Sequence, residues 1–235
     1  MIIMPNRPEE PSRAKGPTTG HPCHSAEPEG QPPTGELGTG ESRADQGADD
    51  HVDATVITPH EAGADGAEWD PTAPIPAPLC LHTAIVLPAW TDYNGHLSEY
   101  CFLLAFGDST DAFFRHLGVE EHYRAEGHSL YTAETHLHHR REAYSGDPLL
   151  FTVQVLGLDD KRLHLFHTMH HSRSGEVLAT AEQLLLHVDT RVRRVAPFPV
   201  SLLTRLEAVR EAHAHLPVPD AVGHVMEIPP RNAAG

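Results

Sequence analysis

Residues 87–117, LPAWTDYNGHLSEYCFLLAFGDSTDAFFRHL, decide how the chain reads. The stretch opens as the end of a strand, tightens through Trp90-Thr91-Asp92-Tyr93-Asn94-Gly95-His96, and becomes the longest uninterrupted helical pattern in the sequence. Asn94-Gly95 is a turn dipeptide, and Asn94 or Ser98 is placed to cap the helix by accepting from its first free amides. A helix start at the end of a polar loop leaves N–H groups aimed outward with partial positive charge, suited to a carbonyl oxygen that is becoming negative. Asp92 precedes that start by a few residues. A base or nucleophile and an oxyanion donor could therefore sit within one short segment, Asp92 to Glu99, through Gly95 and His96.

Within the helix, Leu103, Phe106, Thr110, Phe113 and Leu117 recur at spacings of three and four, and Phe102 and Phe114 widen the stripe, which predicts burial along most of its length. Asp108 and Asp111 lie one turn apart, with Arg115 four residues after Asp111. That pattern fits a solvated face with a local ion pair; the sharper alternative is a carboxylate turned into a pocket.

Upstream, Cys80 to Leu87 alternates as a strand, His82, Ala84 and Val86 against Thr83, Ile85 and Leu87. Downstream, a short helix over 120–126 precedes four strand-like segments: Ser129 to Tyr144, Leu149 to Val155, Leu163 to His171, and Val177 to Val188 with Leu178, Leu184, Leu186 and Val188 on one face. The turns Gly146-Asp147-Pro148, Asp159 to Arg162 and Ser172 to Gly175 join them, implying an antiparallel meander of successive neighbours. Leu202, Leu206, Val209 and Leu216 mark a last amphipathic helix. A long helix apolar over much of its circumference needs a concave sheet to cover it, so the expected class is α+β: the hot-dog fold, a curved antiparallel sheet wrapped around one central helix.

Residues 1–78 hold 14 of the 33 acidic residues and only 4 of the 17 basic ones, in a Pro-, Gly- and Ala-rich context with few large apolar side chains. Such a segment cannot bury enough surface to offset its ordering entropy and reads as a disordered leader and linker. The folded domain is expected over 79–217, with 218–235 a flexible tail. A net charge of −16 argues against a nucleic-acid partner. No apolar run is long enough to cross a bilayer, and Met1-Ile2-Ile3-Met4 is too short for a signal peptide, so the expectation is a soluble, cytoplasmic protein without a membrane partner. Cys23, Cys80 and Cys101 are too few and scattered for a disulfide framework. The histidines, including His136, His138, His139, His164, His167, His170 and His171, lack metal-site spacing, and neighbours on a strand point to opposite faces. Neither a metal nor a cofactor is expected.

Asp92-Tyr93-Asn94-Gly95-His96 leading into a long helix resembles the Asp-x-x-Gly-(His) segment of hot-dog thioesterases of the 4-hydroxybenzoyl-CoA type. DYNGHLSEY, FGDSTDAFFRHLG, GHSLYTAETHLHHRREAYSGD, KRLHLFHTMH and ATAEQLLLHVDT follow in order. Across residues 80–216 they are most similar to betainyl-CoA thioesterases, found alone or fused to carnitine dehydrogenases. The departure expected from the fused relatives is that the leader, and not a dehydrogenase domain, precedes the module.

The resemblance implies hydrolysis of a short acyl-CoA, betainyl-CoA first, to betaine and CoA. Asp92 occupies the family's catalytic carboxylate position, as nucleophile or general base. The thioester oxygen would lie against the N–H groups around His96 to Glu99. A trimethylammonium group is recognised by aromatic faces and a carboxylate, which selects Trp90, Tyr93, Tyr100 and Tyr131 beside Asn94, with Asp108 or Asp111. Glu134 and His136 share one strand face and are candidates to converge on the helix start, or to lie on a wet outer face. Arg140 with Arg141, Lys161 with Arg162, and Arg173 are the cations available to CoA phosphates, Lys161 and Arg162 ranking first because they sit together on a hairpin. The family builds its sites between subunits, which implies a homodimer or homotetramer. A non-catalytic acyl-CoA-binding module is the alternative; a hydratase is disfavoured by the spacing of Asp92 and His96.

Overall fold

The computed structural model describes residues 69–226. Strand β1 (Leu79–Ile85) and a short 3-10 turn (Pro88–Trp90) lead into α1 (Glu99–His116), followed by α2 (Glu121–Ala125), β2 (His128–His139), β3 (Pro148–Leu158), β4 (Arg162–His171), β5 (Val177–Asp189), β6 (Arg194–Val195) and α3 (Val200–His213). The pairings are antiparallel, in the order β1-β3-β4-β5-β2, with β6 on β5. A curled antiparallel sheet packed against one long helix is the hot-dog arrangement anticipated from the element order.

The strand order corrects the simple meander. Only β3, β4 and β5 follow one another; β2 pairs with β5 and forms the opposite edge from β1. Residues 140–147 are therefore not a hairpin loop. They cross the end of the sheet over three strand spacings, about 14 Å, before the chain enters β3. Five backbone bonds hold this crossing: Arg140 and Arg141 N–H to Leu178 O at 2.9 and 3.0 Å, Leu97 N–H to Ala143 O at 2.7 Å, Gly146 N–H to Val86 O at 2.8 Å and Val86 N–H to Asp147 O at 3.0 Å. The predicted strand over 129–144 thus stops at His139.

α1 is buried through Cys101, Phe102, Ala105, Phe106, Ser109, Ala112 and Phe113. Its first half packs on Phe151, Met169 and Ala181; its second half packs on Val153, Leu165 and Leu185 with α3 beyond. Full burial of each large side chain such as Phe106 or Phe113 contributes about 1.5–3 kcal/mol. Leu103, counted in the apolar stripe, is instead 47% exposed. Between the two apolar clusters runs a polar layer in which Ser109 Oγ lies 3.2 Å from His167 Nδ1 and Thr110 Oγ1 donates to Gln183 Oε1 at 3.0 Å. His167 is fully buried, and that desolvation pushes its imidazole down to about 4, so it stays neutral in the core.

Alternation in β1 has the expected phase: Thr83 and Ile85 are exposed, and His82 and Ala84 turn inward. In β5 the phase is the reverse of that read from the leucines. Ala179, Ala181 and Leu185 face the helix, and Leu184 and Leu186 lie on the other side.

The folded unit extends past both expected boundaries. Trp69 and Ile75 pack on the core, and Pro76 O lies 3.1 Å from His213 Nε2. At the other end, Gly223 N–H donates to Glu182 Oε2 at 2.8 Å and His224 meets His138 edge-on. Residues 1–68 and 227–235 of the expected leader and tail lie outside the described residues.

Candidate active site

Three segments meet at one end of the sheet: the turn before α1, the first turn of α1, and the crossing connection. Thr91 and Leu97 form an antiparallel bridge that closes a small hairpin. Inside it, Asp92 N–H donates to His96 O at 2.8 Å and Gly95 N–H to Asp92 O at 3.0 Å. Asp92 Oδ1 accepts the N–H groups of Asn94 at 2.8 Å and of His96 at 3.2 Å, an Asx turn nested in the hairpin. Gly95 sits at φ +78°, a conformation in which a Cβ would add strain, so glycine at this place lets the turn close. Partial desolvation raises the Asp92 carboxyl, but the donated N–H groups, the Asn94 side chain and His96 outweigh it. The net shift is downward, leaving an ionised carboxylate at neutral pH.

The helix start differs from expectation in which amides it offers. Ser98 occupies the N-cap position but makes no side-chain cap, and Asn94 is spent in the turn. The N–H groups of His96, Leu97 and Ser98 go to Asp92, Ala143 and Trp90. Cys101 and Phe102 N–H both reach Ser98 O. Among the described residues, the amides of Glu99 and Tyr100 have no acceptor, and these two form the open N-terminus of α1. Of the His96-to-Glu99 set, only Glu99 keeps its amide available.

The crossing connection supplies the facing wall. Tyr144 bridges His96 through the backbone and packs on its ring edge-on at 5.0 Å. The Tyr144 hydroxyl donates to Glu142 Oε2 at 3.0 Å, which raises the phenol above its ordinary value. The same oxygen lies 3.5 Å from His96 Nε2. Between these segments opens a cleft of about 430 Å³. Asp92, His96, Leu97 and Glu99 line one side. Phe102 and His139, which meet edge-on at 4.7 Å, line it with Arg140, Arg141 and Glu142.

Asp92, His96, Glu99 and Arg140 are thus brought together, with Gly95 and Asn94 in the supporting turn. The remaining predicted residues fall elsewhere within this chain. Trp90 packs on the core, while Tyr93 at the turn tip and Tyr100 on α1 are 96% and 69% exposed. Tyr131 pairs with Leu186, which also pairs with Arg162; Arg140 binds Leu178 O, eight residues along β5 and about 26 Å away. Lys161 and Arg162 stand at that far end, where Arg162 Nε contacts Asp159 Oδ2 at 2.6 Å. Asp108 is buried on α1, and desolvation first, then Asp111, pushes its carboxyl up to about 6 against the opposing Arg115. Glu134 and His136 bond each other at 2.8 Å and surround a small hollow with His164 and Glu182, on the sheet face opposite the helix because β5 alternates.

Sequence reasoning passed over Glu142, Phe102 and His139. Their signal was present but unreadable without the topology: Arg140-Arg141-Glu142 breaks the alternation of β2, and Ala143-Tyr144 resumes as the strip that pairs with His96 and Leu97.

A carboxylate clamped in a turn before an open helix N-terminus, in a hot-dog fold, defines a thioesterase-type site. The chain belongs to the Thioesterase-like superfamily, which it matches over residues 86–210. It is 47% identical over 153 residues to the betainyl-CoA thioesterase of Pseudomonas aeruginosa, covering 65% of this chain and 96% of that one. It is 44% identical over 146 residues to the L-carnitine dehydrogenase/betainyl-CoA thioesterase of Rhizobium meliloti, covering 62% of this chain and 29% of that one. The chain therefore spans less than a third of this longer relative. A Staphylococcus aureus protein solved in complex with CoA superposes with a TM-score of 0.61 at 25% identity, covering 67% of this chain and all of that one. No helix among the described residues is long and apolar enough to cross a membrane.

Proposed function

We propose that this chain hydrolyses a short acyl-CoA thioester, betainyl-CoA foremost, to the free acid and CoA. The observation that carries the reading is the ionised Asp92 carboxylate, held by the Asn94 and His96 amides beside the two open amides of α1. The acyl carbonyl carbon faces Asp92, which attacks it or takes the proton of an attacking water. Negative charge developing on the carbonyl oxygen is met by the Glu99 and Tyr100 N–H groups, which stabilise the tetrahedral state more than the neutral ester. The C–S bond then breaks and CoA leaves as thiolate: where Asp92 acted as base, the proton it took from water passes to the sulfur, and where it attacked, water hydrolyses the acyl–Asp92 anhydride to the free acid and supplies the proton. The 44–47% identity to proteins bearing betainyl-CoA thioesterase activity in their names supports the choice of ester.

Arg140 and Arg141 at the cleft are the cations assigned to CoA phosphates. The active unit is a homodimer or larger homo-oligomer: Tyr93, Tyr100 and Leu103 leave an apolar surface beside the cleft that a second copy would cover. Thiol release from betainyl-CoA, acetyl-CoA, a longer acyl-CoA and 4-hydroxybenzoyl-CoA, with the oligomeric state measured alongside, tests the reading. Strong preference for betainyl-CoA supports it. Binding of CoA esters without turnover of any would sink it in favour of a binding module.

A further inference from the structure

The cleft carries more negative charge than hydrolysis of the thioester needs. Asp92 serves the reacting carbon, and Glu99 opens the first turn of α1, where a carboxylate also complements the helix dipole. Glu142 has neither role. It comes from the crossing connection rather than the catalytic turn, is held by the Tyr144 hydroxyl at 3.0 Å, and lies 3.5 Å from His96 Nε2, itself next to Asp92. Beside it Phe102, only 4% exposed, and His139 form an edge-on aromatic pair lining the same cleft.

A quaternary ammonium has no N–H to donate, so it is recognised by a carboxylate's charge and by aromatic faces. In betainyl-CoA the quaternary nitrogen is one methylene from the thioester carbon, so its binding pocket must adjoin the catalytic carboxylate. Of the residues first matched to this task, Asp108 is buried along α1 and Tyr131 is at the far end of β2, while the Tyr93 and Tyr100 side chains, beside the turn, are exposed and do not line the cleft. Glu142, Phe102 and His139 do. Resting on the thioesterase reading above, we infer that Glu142 is the specificity residue for a quaternary ammonium acyl group, with Phe102 and His139 forming the aromatic side of its pocket.

The test compares betainyl-CoA with 3,3-dimethylbutanoyl-CoA, its neutral isostere, in the full chain and in Glu142→Gln, which retains an acceptor for Tyr144. Glu142→Gln lowers kcat/KM for betainyl-CoA about fivefold and leaves the neutral ester within about twofold, the scale of one charge pair made by a carboxylate whose side chain is 62% exposed. A second readout needs no variant: in the wild type, raising ionic strength narrows the betainyl preference if charge sets it. Equal loss on both esters would make Glu142 a positioning residue acting through His96 and overturn the assignment. Unchanged preference in Glu142→Gln, or a wild-type preference indifferent to salt, would overturn it as well. Absence of turnover of both esters by the wild type overturns the thioesterase reading itself, a distinct outcome.

Discussion

The amide of Asn94 donates to the carboxylate of Asp92 at 2.8 Å, two residues back along the same turn. The proposed catalytic group is thereby positioned within its own turn. Asp92→Asn keeps a side-chain oxygen for that bond and loses only the charge. Turnover should fall by about 10²–10⁴ with KM and thermal stability little changed. Steady-state kinetics with a melting curve checks this; a variant that is folded and active would remove Asp92 from the chemistry.

Gly95 at φ +78° has open space where a Cβ would sit, so the cost of a side chain there is conformational rather than steric. Gly95→Ala should destabilise by about 1–2 kcal/mol and lower kcat by disturbing Asp92 and His96 together. Gly95→Asn, which tolerates this conformation better, should retain more of both. Equal behaviour of the two variants would show that the backbone conformation is not what matters.

Arg140 lines the cleft and Arg162 does not. Arg140→Ala should raise KM for CoA esters several-fold, with a smaller effect at high salt, and the Lys161→Ala/Arg162→Ala pair should leave it unchanged. The reverse ranking in kinetics over a salt series would move the CoA phosphates to the opposite end of the sheet.

Asp108 holds its proton up to about pH 6 in the native state, whereas an ordinary aspartate releases it near 3.8. Between those values the folded chain binds a proton that the unfolded chain has lost. Stability contributed at this site therefore falls as pH rises through the interval, and stays lower above it. Asp108→Asn should raise Tm at pH 7.5 and leave it nearly unchanged at pH 4. A shift of the same size at both values would refute the titration.

The sequence carried the fold because its strongest signals were local. The apolar spacing of Phe102, Phe106 and Phe113 defines α1, and Asn94-Gly95 defines the turn before it. Strand order was not legible: a Gly146-Asp147 turn looks the same whether the next strand is a neighbour or lies three places away. Leu184-Leu185-Leu186 likewise gives no phase for β5, which small residues at Ala179 and Ala181 set against the helix. Asp92 was legible as a candidate because its contacts lie within one turn. Glu142 was not, because it acquires a neighbour in His96 only through a crossing that pairs residues almost fifty positions apart.

That crossing also bears on specificity. Arg140 and Arg141 N–H both donate to Leu178 O, and Leu97, Val86 and Gly146 pin the strip from the other side. Its backbone is a brace with little tolerance for inserted or deleted residues, while the side chains of Arg140, Arg141 and Glu142 line the cleft and Glu142 also reaches His96 of the Asp92 turn at 3.5 Å. On the assignment proposed for Glu142, acyl preference can be changed by substituting one side chain of a strip whose length and backbone bonds stay fixed.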